Sequence, residues 1–243
     1  MLSVQARTVA SITLRATMGR RRALLFALPP LILVLVTVLL KAAHAERADW
    51  PSLILGGFGL AVVLPLTALI IGTSVLGAEI DDGSIVHLLA TPVPRSQVVL
   101  SKFVVAAALT VAFGAIPEYV AALIAKGPAS GLAVGLLLGA LVASVIYNAI
   151  FVMLSVLTSR AIAAGLLYLL VWEGLLANLV PGVGLLSVSQ YSLSVANSVA
   201  HNQALHAHLG LATAVIMGLI VTAAALAICT RRLSAFSIRG DAV

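Results

Sequence analysis

The chain has 243 residues, of which 62% are hydrophobic and only 9% are charged. Soluble domains carry about 25% charged residues, so this composition excludes a soluble globular fold and predicts an all-α membrane protein with several spans. The net charge of +6 would suggest nucleic acid in a soluble protein, but the basic residues here flank apolar runs and indicate membrane orientation instead. The single cysteine, Cys229, excludes an internal disulfide and a cysteine metal cage.

Residues 1–22 predict a basic amphipathic helix that lies on the membrane surface. They contain five arginines and no acidic residue, and apolar residues recur at roughly helical spacing. The alternative interpretation is a frayed basic tail.

Six apolar runs follow, and a span needs about 20 residues to cross a hydrocarbon core of about 30 Å. We therefore expect six transmembrane helices in a single domain, 1–243. The runs are 23–40, 53–77, 103–125, 131–157, 161–180 and 209–229. The first run precedes small residues that resemble a signal-peptide cleavage site, but it is longer than such a peptide requires, so we expect an uncleaved span.

The distribution of lysine and arginine orients these spans. With the N-terminus inside, eleven basic residues lie on the cytosolic side and three lie outside, which favours both termini in the cytoplasm. Residues 78–102 are then cytosolic, and residues 181–208 are external. The external segment is uncharged at neutral pH and is long for a plain loop, so we expect it to form re-entrant helices.

Three polar residues inside the predicted spans are candidates for a translocation pathway: Glu118, Glu173 and Asn148. Ionisable residues cost several kcal/mol in the membrane unless they face protein or water, so Glu118 and Glu173 could line a pathway or bind a cationic group. The alternative is a structural hydrogen bond within the bundle. For Asn148 this alternative is an interhelical hydrogen bond.

Two further patterns carry weaker signals. Gly131, Gly135, Gly139 and Ala143 are each four residues apart, which predicts a helix face that a neighbouring backbone approaches closely. His201, His206 and His208 cluster outside the membrane, but no carboxylate or cysteine accompanies them. We therefore expect solvated interfacial histidines and no metal site.

Several motifs of catalysis are missing from the sequence. There is no G-x-x-x-x-G-K-[ST], so the chain has no P-loop for a nucleotide, and any ATP and Mg²⁺ would be bound by a partner subunit. The lack of H-E-x-x-H and G-x-S-x-G argues against an intramembrane enzyme. A stand-alone secondary transporter or channel remains an alternative, although no internal repeat supports it.

The central cytosolic stretch, Glu79–Lys102, has the features of a short contact helix. Asp82 can cap a helix that starts at Gly83 or Ser84, and Pro92 ends it. That helix would present an apolar patch, Ile85, Val86, Leu88 and Leu89, to a partner. The alternative is that the patch lies flat on lipid headgroups.

This stretch resembles the cytosolic loop of ABC-2 type transporter permeases, in which an acid, a Gly-Ser or Gly-Thr, a Leu-Leu pair, a proline, an arginine and a lysine follow in order. Trp172-Glu173-Gly174 and Ser189-x-Tyr191 are also similar to bacterial members. On this resemblance, the residues that couple the chain to an ATPase are Glu79, Asp82, Gly83, Ser84, Leu88, Leu89, Pro92 and Arg95.

The resemblance implies a fold and a set of partners. It implies an N-terminal interfacial helix, a coupling helix between the second and third spans, and re-entrant helices before the sixth. It also implies two permeases, as a homodimer or with a paralogue, paired with two ATP-binding subunits in a bacterial inner membrane. The chain itself would be a transport subunit and not an enzyme. The uncharged external segment suggests a hydrophobic or amphipathic substrate, such as a drug, an antibiotic or a lipid-like molecule, exported from the cytoplasm.

Overall fold

The computed structural model describes residues 13, 20–43, 50–81, 94–128, 131–179, 182–205 and 207–236. Within these residues the chain is helical and contains no strand. The helices are α1 (Arg20–Ala42), α2 (Trp50–Leu53, Ile54–Val63 and Leu64–Asp81), α3 (Arg95–Thr110, Val111–Ala115 and Ile116–Lys126), α4 (Leu132–Leu157), α5 (Ala161–Leu167, Tyr168–Leu176 and Ala177–Leu179), α6 (Val188–Ala200) and α7 (Leu211–Phe236).

Five helices of the described residues are long and apolar enough to cross a membrane. They include Ala23–Ala42, Trp50–Gly77, Arg95–Lys126, Leu132–Leu157 and Leu211–Ser234. The remaining predicted span, 161–180, corresponds to a shorter apolar helix, Ala161–Leu176. An all-helical protein with several membrane-spanning helices is thus confirmed, and the six-span layout stays a prediction.

The segment between α2 and α3 is shorter than the predicted loop 78–102. Helix α2 continues to Asp81, and α3 begins at Arg95. Lys102, which the sequence placed at the end of the loop, lies inside α3 with a fully buried side chain. Its Nζ donates a hydrogen bond of 3.2 Å to the carbonyl oxygen of Val75 in α2. The start of α3 packs against the end of α2, because Val98 and Val99 share a buried cluster with Val75 and Leu76.

The predicted coupling helix and most of the predicted N-terminal interfacial helix lie outside the described residues. The coupling helix falls within 82–93, and of residues 1–19 only residue 13 is described. Both remain predictions.

The small-residue face of α4 packs against α6. A Cβ added at Gly139 would lie 2.5 Å from the carbonyl oxygen of Ser192, and one at Gly131 would lie 3.1 Å from that of Val199. The order of these contacts makes α6 antiparallel to the first half of α4. The predicted close approach of a neighbouring helix is confirmed, and α6 is that neighbour.

Within the described ranges, three helices contain π-helical stretches, which often occur at functional sites. They are Ile54–Val63 in α2, Val111–Ala115 in α3 and Tyr168–Leu176 in α5. In α3 the π-helical stretch precedes Pro117, which has no N–H to donate. The wider turn accommodates the hydrogen bond that the proline cannot make. One intramembrane acid, Glu173, lies inside such a stretch, and the other, Glu118, follows one.

Candidate functional site

A cavity of about 550 Å³ lies between α2, α5, α6 and the segment before α7. Most of its wall is aliphatic, with leucines from three helices, Leu66, Leu169 and Leu193 among them. The polar side chains of the wall are Glu173, Ser189, Gln190 and His208. An apolar cavity with a few convergent polar groups is the usual form of a small-molecule site.

The Glu173 carboxyl is buried, and five hydrogen bonds converge on it. The hydroxyl of Tyr168 (3.1 Å) and the backbone N–H of Val188 (2.8 Å) donate to Oε1. The hydroxyls of Ser187 (2.6 Å) and Ser189 (2.9 Å), together with the Ser189 N–H (3.4 Å), donate to Oε2. All five contacts come from donors, which is the arrangement that suits a carboxylate.

Glu173 thereby joins the middle of α5 to the start of α6. Val188 and Ser189 are the first two residues of α6, and their N–H groups have no partner within the helix. A negative group at this position also interacts favourably with the positive end of the helix dipole. Ser187 adds an N-cap, because its Oγ accepts from the N–H of Gln190.

Tyr191 also stabilises the turn before α6. Its side chain is buried, and its hydroxyl donates a 2.5 Å hydrogen bond to the carbonyl oxygen of Leu185. The entry into α6 is therefore fixed by a network of side chains and not by the backbone alone.

Glu118 is the second intramembrane acid, and its surroundings are the opposite of those of Glu173. It is 1% exposed, and among the described residues its Oε1 has no hydrogen-bond partner. Its carboxyl lies against Gly59 in the π-helical stretch of α2, where an added Cβ would come within 2.7 Å of Cδ. Glu118 is not part of the wall of the 550 Å³ cavity.

Asn148 is fully buried between α4 and its neighbours. Its Nδ2 donates to the hydroxyl of Thr110 in α3 (2.8 Å) and to the carbonyl oxygen of Ser144 one turn earlier (2.7 Å). Its Oδ1 has no partner among the described residues and faces Gly72 of α2. Of the three pathway candidates, the wall of the cavity therefore contains Glu173 alone.

The predicted coupling residues are only partly described. Glu79 is in the last turn of α2, and Arg95 is the first residue of α3. The others are outside the described residues: Asp82, Gly83, Ser84, Leu88, Leu89 and Pro92.

Sequence reasoning missed the partners of Glu173. The signal was available in Ser187-x-x-Gln190, which matches a capping box and marks the start of α6. That pattern could place a helix start at Val188, but it could not show that a residue of α5 completes the cap.

A comparison with known protein families matches residues 20–190 to the family described as ABC-2 family transporter protein. The chain belongs to the ABC-2 family. The match covers well over half of the chain and runs from the start of α1 into the first residues of α6, so it includes the predicted coupling stretch and Glu173. No curated protein matches the chain.

Membership of the ABC-2 family makes this chain the membrane domain of an ABC-type permease. It agrees with the multi-pass helical architecture, and it implies association with an ATP-binding subunit. The resemblance of Glu79–Lys102 to ABC-2 type permeases therefore predicted the family correctly, and that prediction is confirmed.

Proposed function

We propose that the chain is the permease subunit of an ABC-2 type exporter. It moves a hydrophobic or amphipathic substrate, such as a drug, an antibiotic or a lipid-like molecule, out of the cytoplasm, driven by ATP hydrolysis on a separate subunit. The observation that carries the proposal is the family match over residues 20–190. The absence of a P-loop from the sequence supports the need for a separate ATPase.

The cavity between α2, α5 and α6 supports the substrate class. Leucines dominate its wall, and the carboxylate of Glu173 is already occupied by five donors. A ligand in the cavity therefore gains more from burying apolar surface than from a new ion pair. This fits an apolar or amphipathic molecule better than a small hydrophilic one.

Helix α2 connects the predicted coupling helix to this cavity. Gly57 and Leu66 of α2 line the cavity, and the same helix continues to Asp81 next to the predicted coupling helix. At about 1.5 Å per residue, Asp81 lies roughly 22 Å along the helix from Leu66 and roughly 36 Å from Gly57. A coupling helix around Gly83–Thr91 that moves with the ATPase would shift α2 and change the shape of the cavity.

In the proposed orientation α6 is a re-entrant helix. Val199 faces Gly131 at the external start of α4, and Ser192 faces Gly139 about two turns deeper. The first residue of α6 then lies about 16 Å inward from Gly131, near the middle of the hydrocarbon core. Backbone at this depth needs protein partners, and the Glu173 network provides them.

We further propose that two such permeases, identical or paralogous, assemble with two ATP-binding subunits in a bacterial inner membrane, with the termini in the cytoplasm. The basic residues at the cytosolic ends of the spans support this orientation.

The experiment that tests the coupling assignment is copurification with the ATPase subunit. Replacing Leu88 and Leu89 by aspartate should abolish copurification while the permease still inserts, because the change destroys the apolar contact surface. A matched control is available in the external pair Leu185 and Leu186, which are 45% and 46% exposed. The same replacement there should leave copurification intact. Undiminished copurification of the Leu88/Leu89 variant contradicts the coupling assignment.

The substrate class is tested by ATPase stimulation of the reconstituted complex. A panel of lipophilic drugs and lipids should stimulate, and Leu170→Asn, in the cavity wall, should weaken that stimulation. Leu167→Asn is the control, since Leu167 is similarly exposed but lies outside the wall. Stimulation only by small hydrophilic solutes contradicts the proposal.

A further inference from the structure

A second cavity, of about 680 Å³, lies at the opposite end of α5. It is bounded by α1, by the second half of α2, and by the turn that joins α4 to α5. The walls of the two cavities have Leu166 in common but share no ionisable residue, and the proposed export cycle does not use the second cavity. In the orientation derived from the basic residues, the α4–α5 turn is cytosolic.

The interior of this cavity is effectively apolar. Its walls include Phe26 of α1, Ile70 of α2 and Ile162 of α5. The hydroxyls that line it are already used: Thr73 and Ser74 donate to the carbonyls of Leu69 and Ile71 in their own helix (2.7 and 2.8 Å). Such hydroxyls have no proton left for a ligand, so the interior suits a hydrocarbon chain.

The rim of the cavity is different, because its polar groups have free donors. Arg160 is exposed, and within the described part of the chain its guanidinium has no hydrogen bond or ion pair. Ser159 beside it is also exposed, and its hydroxyl has no partner among the same residues. Guanidinium and hydroxyl donors are the groups that bind a phosphate oxygen.

The charge around this rim favours an anion. Helix α1 starts at Arg20, so Arg20–Arg22 precede the cavity-lining Leu25 by about one turn. Arg160 is the one ionisable residue among the described residues that line the cavity, so the formal charge of the lining is positive. Basic pockets between helices on the cytoplasmic side are typical binding sites for anionic lipid headgroups.

We propose that this cavity binds an anionic phospholipid of the inner leaflet. The phosphate lies at Arg160 and Ser159, and an acyl chain lies between α1, α2 and α5 along Phe26 and Ile162. Free phosphate would contact only the polar rim, whereas a phospholipid contacts both the rim and the apolar interior. The inference rests on the proposed cytosolic position of the α4–α5 turn and is independent of what the protein exports.

The test is lipid retention by the purified full-length chain, measured by native mass spectrometry in detergent. Dioleoylphosphatidylglycerol is the anionic probe, and dioleoylphosphatidylcholine is the neutral one. The wild-type chain should retain phosphatidylglycerol about tenfold better, and Arg160→Gln should remove this preference, because the guanidinium–phosphate contact is charge-assisted. Arg160→Lys keeps the charge and should retain part of the preference.

The control variant is Arg232→Gln. Arg232 is also exposed at a cytosolic helix end but does not line the cavity, so its replacement should leave the preference unchanged. Ile162→Trp fills part of the apolar interior and should reduce phosphatidylglycerol retention by about threefold or more while the rim stays intact.

Three results overturn the proposal: equal retention of the two lipids by the wild type, equal losses in the Arg160 and Arg232 variants, or displacement of phosphatidylglycerol by millimolar inorganic phosphate. The last result would identify the rim as a free-phosphate site. None of these results depends on export, so a failure here leaves the proposed function standing.

Discussion

Replacing Glu173 by glutamine should loosen the junction of α5 and α6. The amide keeps one acceptor oxygen, so at least two of the five hydrogen bonds to this side chain are lost. Hydrogen bonds within membrane proteins average about 0.6 kcal/mol, and a buried donor left unsatisfied costs about 1–3 kcal/mol. The expected loss is therefore about 2 kcal/mol, or about 4–8 °C in melting temperature for a chain of this size.

The structure supplies a matched control in the other buried acid. Glu118→Gln makes the same chemical change, but Glu118 has no hydrogen-bond partner among the described residues to lose. Its melting temperature should stay within about 2 °C of the wild type or rise, because a buried carboxyl without partners is costly. Thermal unfolding in detergent measures both variants.

Hydrogen exchange locates the effect. In Glu173→Gln the amides of α6 should exchange faster than in the wild type, while those of α4 change little, because the lost bonds are at the start of α6. Equal melting temperatures for the two glutamine variants, or unchanged exchange in α6, would refute the argument that Glu173 holds this helix in place.

Three further tests address the packing of the bundle. Gly139→Ala should lower stability by about 1–3 kcal/mol in thermal unfolding, whereas Gly57→Ala, with nothing within 4 Å of the new Cβ, should be nearly neutral. Gly59→Ala should lower stability by a similar amount, because the new Cβ would collide with the buried carboxyl of Glu118. Adding Glu118→Ala to this variant should restore stability. A double-mutant cycle of Asn148→Leu with Thr110→Val should give a coupling energy of about 0.6–1.7 kcal/mol; additive effects would contradict the interhelical hydrogen bond.

Local patterns in the sequence predicted the features that depend on composition and periodicity. A chain with 9% charged residues cannot cover a water-facing surface, so most of its surface must face lipid. The composition therefore predicted a membrane protein. The glycines at four-residue spacing predicted a close helix contact, because only the lack of a side chain allows a backbone carbonyl to come within 2.5 Å of a Cβ position.

The sequence could not predict features that depend on distant partners. Lys102 is polar, so hydropathy placed it at the end of a loop, but the carbonyl of Val75 and the packing of α2 bury it inside α3. The two intramembrane acids looked alike in the sequence. They differ because Ser187 and Ser189 reach Glu173 from 14 and 16 residues away, whereas Glu118 meets a glycine.

The most direct test of the central claim is transport by purified components. The permease is reconstituted into proteoliposomes with and without its ATP-binding subunit, and movement of a lipophilic fluorescent drug is followed after addition of ATP and Mg²⁺. We predict transport only when both subunits and hydrolysable ATP are present, and none with the Leu88/Leu89 aspartate variant. Transport by the permease alone, driven by an ion gradient without the ATPase, would contradict the account and favour a stand-alone secondary transporter.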